Sequence, residues 1–73
     1  MSWSVLDPRL REIATEVCTE KELIAIRLWA NGSGYRAIGQ YLDLAPTTVR
    51  DRIERGVRKI NAHPDTEGLV IQR

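Results

Sequence analysis

Arg50, Arg52, Arg55, Arg58 and Lys59 crowd one short stretch of the chain, interleaved with Asp51 and Glu54 and preceded by Thr47 and Thr48. A guanidinium presents a planar fork of donors, a carboxylate presents acceptors, and a threonine hydroxyl presents both. The chemistry open to such a set is recognition by charge and hydrogen bond. The set also has a plainer use. Arg50–Glu54, Asp51–Arg55 and Glu54–Arg58 are spaced i,i+4, and each such pair supports a solvated helix face by roughly 0.2–0.5 kcal/mol. Covalent chemistry lacks its ingredients. His63 is the one histidine and Cys18 the one cysteine, so no zinc site and no nucleophilic triad can be assembled. No phosphate-cradling glycine loop or paired-carboxylate arrangement is present either. The expectation is a protein that is not an enzyme and holds no cofactor or metal, with Cys18 a small core residue.

Composition narrows the class further. With 73 residues the chain has room for one domain and one core. Apolar residues make up 42% and charged residues 29%, as in a folded globular chain rather than a disordered one. No apolar run approaches the roughly 18–20 residues of a membrane span. The start, MSWSVLD, has neither the basic nor the apolar part of a signal peptide. One cysteine excludes an internal disulfide framework. A cytoplasmic location without membrane contact is expected. The net charge of +1 does not advertise an anionic partner. Its distribution does: residues 1–31 carry a net −1, residues 32–60 a net +3, and residues 61–73 a net −1.

The elements that must position these residues read as helices throughout. Asp7-Pro8 is an N-cap followed by proline at the first helical position. Leu6, Leu10, Ile13, Ala14 and Val17 then form one stripe of a helix over about 8–17. Thr19-Glu20-Lys21-Glu22 is a capping box. The helix it opens is apolar around most of its circumference (Leu23 to Ala30), which predicts the central, most buried element, with Trp29 in the core. Gly32 ends it in the left-handed conformation. A short third helix over Tyr35–Leu42 should turn Ile38, Tyr41 and Leu42 inward. Asp43-Leu44-Ala45 is a three-residue turn, and Pro46 opens a fourth helix running to about Asn61 with Val49, Ile53, Val57 and Ile60 as its buried line. His63-Pro64-Asp65 breaks it. The fold class is all-α: a four-helix helix-turn-helix domain over residues 1–62, with the motif at 35–60 and its second helix at 46–60. A short non-helical tail follows at 63–73, whose Leu69-Val70-Ile71 cluster forms an arm or folds back on the core. Trp3 staples the N-terminus to the first helix or faces a partner.

A short helix, a three-residue turn and a longer helix make the helix-turn-helix arrangement. Close crossing wants a small residue in the first helix, which Gly39 supplies. The turn wants one residue at positive φ, which Asp43 tolerates. Several segments then fall in register: Thr19-Glu-Lys-Glu22, Ala30-Asn-Gly32, Ile38-Gly-Gln-Tyr-Leu42, Leu44-Ala-Pro-Thr-Thr-Val-Arg50 and Arg58-Lys-Ile60. Together they resemble the LuxR-type helix-turn-helix, a pattern shared with the fourth region of primary sigma factors, over about residues 18–60. Asp43 stands where the family has a turn glycine, Ala45 where it has a Ser/Thr cap, and Gly56 where it has a large apolar residue. The family's C-terminal dimerisation helix has no counterpart.

The resemblance implies a DNA-binding domain whose fourth helix reads the major groove. It implies base contacts from Thr47, Arg50, Asp51 and Glu54, with Arg50 on guanine and the carboxylates either accepting the cytosine amino group or repelling wrong approaches to phosphate. It implies backbone contacts from Tyr35, Arg36, Thr48, Arg52, Arg55, Arg58 and Lys59. Neutralising six phosphates would give a log–log salt slope near −5. The expected partner is double-stranded DNA, and the expected role a small stand-alone transcriptional regulator of phage or mobile-element type, associated with the nucleoid of a prokaryotic or phage-infected cell. Two other roles remain open. One is a module that mimics a sigma-factor region and binds RNA polymerase. The other is an accessory DNA-binding factor for recombination or packaging. A homodimer would have to use the first helix or the tail.

Overall fold

Side-chain caps start two of the four helices. In the computed structural model, which describes residues 7–64, the Asp7 carboxylate accepts the Arg9 amide at 2.9 Å ahead of α1 (Pro8–Val17). That hydrogen bond holds the Asp7 carboxyl below its ordinary range. Ahead of α2 (Glu20–Ala30), the Thr19 hydroxyl accepts the Glu22 amide at 3.3 Å and Glu22 accepts the Thr19 amide at 2.9 Å. The capping box is complete, as its spacing predicts. Gly32, at φ 99°, turns the chain out of α2, and the Gly32 and Ser33 amides donate to the Trp29 and Leu28 carbonyls. Next come α3 (Tyr35–Leu42) and α4 (Pro46–Asn61). The fold is all-α, with no strand among the described residues, and the helix spans agree with the periodicity. Trp3, Leu6 and the Leu69-Val70-Ile71 cluster lie outside the described residues.

The turn between α3 and α4 is built on one carbonyl. Asp43 is left-handed at φ 58° and ψ 47°, and the Asp43 and Leu44 amides both donate to the Gly39 carbonyl, Leu44 at 2.8 Å. A Cβ at position 39 would strike the Leu44 carbonyl oxygen. Glycine there is a condition for so tight a turn. Leu44 then packs half-buried against the core.

The core is Leu10, Ile13 and Ala14 from α1, Ala25 and Ile26 from α2, Ile38 from α3, and Val49, Ile53 and Ile60 from α4. It corrects three expectations. The central helix is α4, against which each of the other three packs; Leu23, Ile24, Leu28 and Trp29 of α2 are only partly covered. The buried line of α4 runs through Gly56 in place of Val57, which is half-buried. The reason is close approach: a Cβ at Gly56 would meet the Ile26 Cδ1 atom and come within 3.4 Å of Cys18 Sγ. The seam of α4 has rotated toward the residue with no side chain. Finally, Tyr41 is 72% exposed, because α3 is short and buries only Ile38 and Gly39. It lines a depression beside α2 together with Ile24, Arg27, Leu28 and Asn31.

One buried charge completes the packing. Glu22 is 1% exposed, and its Oε1 accepts Lys59 Nζ of α4 at 2.8 Å as well as the Thr19 amide. Burial alone pushes the Glu22 carboxyl up; the Lys59 ammonium and the Thr19 donors outweigh it and hold it below its ordinary value. Cys18, half-buried beside the pair, donates to the Gly56 carbonyl at 3.7 Å. Burial and the Glu22 charge push its thiol up, against the pull of Lys59, so it stays protonated.

Gly39→Ala meets immovable backbone and should lower stability by about 2 kcal/mol. Gly56→Ala meets the tip of a side chain and recovers about 1 kcal/mol of helix propensity. In urea titrations Gly39→Ala should be the more damaging, and the reverse order would refute this view of the turn. The depressed Glu22 carboxyl stabilises the fold fully above the unfolded glutamate value of about 4.3. That contribution is lost as pH falls through the lower folded value. Unfolding free energy measured against pH should therefore decline on the acid side, and Glu22→Gln should flatten the decline.

Candidate nucleic-acid interface

Burying Val49, Ile53, Gly56 and Ile60 leaves the opposite face of α4 to solvent. Thr47, Arg50, Asp51, Glu54, Arg55 and Arg58 are all exposed there, and Thr48 and Arg52 are half-buried on its flank. Local periodicity is enough to gather these side chains. Tyr35 (38% exposed) and the exposed Arg36 lie in the first turn of α3.

The ion pairs that would make this face self-sufficient are mostly absent. Among the described residues, only Arg50–Glu54 comes within range, at 3.9 Å, with both side chains more than half exposed. Such a pair contributes well under about 1 kcal/mol and is readily exchanged for a ligand. Asp51–Arg55 and Glu54–Arg58 do not close. The guanidiniums of Arg55 and Arg58 therefore stand open to solvent.

Lys59 differs from the other cations. Its ammonium is 2.8 Å from Glu22, on the flank of α4 that faces α2. The structure puts it into the packing and does not bring it to the arginine face. Nothing in the sequence separates Lys59 from Arg58 in this respect, since the pairing spans distant parts of the chain.

The junction of α3 with α4 forms a shallow depression of about 350 Å³, lined by Arg36, Gln40, Asp43, the turn backbone and Pro46. Gln40 joins this lining from its place one helical turn after Arg36. The two helix starts nearby also differ from those of α1 and α2. Gly34 and Ala45, at the two capping positions, make no side-chain cap hydrogen bond, and Pro46, the first residue of α4, has no N–H to satisfy. Uncapped helix starts carry partial positive charge and suit an anion. On its other flank α4 borders an apolar groove of about 400 Å³ between Trp29, Tyr35, Ile53 and Val57, with Glu54 and Arg58 on its rim.

No protein-family model matches the chain, and no curated protein or solved structure is significantly similar to it.

The two kinds of cation separate in a stability measurement. Lys59→Met leaves Glu22 buried without its counter-charge. It should lower stability by about 1–3 kcal/mol, less than the roughly 3–5 kcal/mol of a fully buried pair because Lys59 is partly in water. Arg55→Ala and Arg58→Ala should stay within about 0.5 kcal/mol of the parent. Equal losses from all three would show that the arginines are also part of the packing.

Proposed function

We propose that this protein is a sequence-specific DNA-binding transcription regulator that inserts α4 into the major groove, in the manner of the LuxR-type and sigma fourth-region domains it resembles. One observation carries the reading. α4 leaves a three-residue turn with a face of Thr47, Arg50, Asp51, Glu54, Arg55 and Arg58 that takes no part in packing. A helix roughly 10–12 Å across fits the major groove of B-DNA. On this reading Arg50 exchanges its weak pairing with Glu54 for the O6 and N7 acceptors of guanine. Asp51 and Glu54 accept a cytosine amino group, and Thr47 contacts a base edge beside them. Arg36, Arg52, Arg55 and Arg58 meet phosphates, joined by Tyr35 and Thr48. Lys59 steers at most, because Glu22 already neutralises it.

A second reading has its own support. Exposed Tyr41 lines a mixed depression with Ile24, Leu28, Arg27 and Asn31 on α2 and α3, outside the α4 face. Such a surface suits a protein partner, RNA polymerase among them.

Selection from a random duplex pool, followed by gel shifts at increasing salt, tests the first reading. Four phosphate-bound arginines give a log–log slope of about −3.6, shallower than six phosphates would. Arg50→Ala should lose about 1–3 kcal/mol of discrimination at one base pair, whereas Arg58→Ala should weaken every sequence alike. Absence of any shift at low salt would sink DNA binding. Capture of purified polymerase, abolished by Tyr41→Ser and indifferent to Arg50→Ala, would put the second reading in its place.

A further inference from the structure

The groove beside α4 joins an apolar lining to a polar rim of fixed order. Trp29, Tyr35, Ile53 and Val57 line it, and only Ile53 among them is fully buried. Glu54, Arg58 and Asn61 line it too. They are spaced i, i+4 and i+7, so they follow one another along a single edge of the helix. The two rim charges are not equivalent. Glu54 lies 3.9 Å from Arg50 and so has a counter-charge. Arg58 is exposed, and no acidic group pairs with it among the described residues, although Glu54 stands one turn before it. The carbonyls at that end of α4, which disfavour an anion, are partly used: those of Arg58 and Ile60 accept the Ala62 and His63 amides.

We propose that this groove binds a small aromatic carboxylate, with its ring against Trp29, Tyr35, Ile53 and Val57 and its anionic group on Arg58. Volume sets the size. At about 400 Å³ the groove is near the lower end of small-molecule sites, with room for roughly one or two fused rings. The lining sets the shape, because partly exposed aromatic side chains meet a planar π surface face to face or edge to face. Charge sets the sign. The unmet guanidinium of Arg58 pairs with a carboxylate through two parallel donors. A cationic ligand would have only Glu54, which Arg50 already serves. A second copy of the chain fits less well. A stable dimer buries about 800 Å² on each partner, far more than the four apolar side chains of this groove supply. Arg58 is also a phosphate contact on the DNA-binding reading, so a filled groove would withdraw it from DNA. That consequence rests on the DNA-binding reading; the site itself does not.

The test is a nuclear magnetic resonance titration of the full chain without DNA. The probes are naphthalene-2-carboxylate, its neutral carboxamide and naphthalen-2-ylmethylammonium. The carboxylate should shift the Val57 methyl and Trp29 indole resonances to saturation, with a dissociation constant of about 1 mM or below. It should bind about fivefold more tightly than the carboxamide. Arg58→Gln should erase that preference, with far-UV circular dichroism unchanged. Lys21→Gln, which removes an exposed charge outside the groove, should keep it. No saturable shift at Val57 and Trp29 overturns the proposal, as does equal binding of carboxylate and carboxamide or a preference that survives Arg58→Gln. Tighter binding of the ammonium overturns it and assigns the groove to cations. Groove resonances that move on tenfold dilution of the protein alone overturn it too, and give the groove to a second copy.

Discussion

Glu22 ties the molecule together with a single carboxylate. One oxygen accepts both the Thr19 amide, which starts α2, and the Lys59 ammonium, which sits in the last turns of α4. A buried carboxylate is tolerable only when its charge is met and its lone pairs are used. Here both conditions are met by groups that thereby become fixed to each other. The start of one helix and the end of another are registered through one side chain. Gly56 and Cys18 stand directly beside that point, and Ile26 fills the space that glycine leaves. The orientation of α4 about its own axis, and so the set of residues it shows to solvent, follows from this contact.

The second constraint is the turn into α4. Gly39 takes two amides on its carbonyl and Asp43 takes the left-handed conformation, which fixes the entry of α4 as Glu22 fixes its exit. Between the two anchors, α4 carries the main contacts of all the other helices. A domain this small has little area to bury and little stability to spare. It uses one helix as both core and display surface, and the line between those roles is drawn at Gly56.

Much of this was legible in the residues. The helix spans followed from Asp7-Pro8, the Thr19–Glu22 box, Gly32 and Pro46, because caps and breakers act locally. The exposed set on α4 followed from its 3.6-residue period. What depended on distant contacts did not follow. The Glu22–Lys59 pair joins residues far apart in the sequence, and the box motif assigns Glu22 a complete local role without it. Val57 looked like core because it is apolar, yet the side chains of Ile26 and Cys18 come up against Gly56, where no Cβ stands in their way, and the seam runs there. Tyr41 looked inward for the same compositional reason, on a helix too short to have an inward face three residues wide. The exposure of the arginines was therefore readable in the sequence, and the pairing of Lys59 with Glu22 was not, because its neighbours come from another helix.

The starts of α3 and α4 have a consequence for what holds the motif in place. Gly34 and Ala45 occupy the capping positions and make no side-chain cap hydrogen bond. Each does without the roughly 1 kcal/mol that a serine, threonine or aspartate contributes there. The two helices are set instead by contacts further along them, the Gly39 carbonyl at the turn and the Glu22–Lys59 pair at the far end of α4.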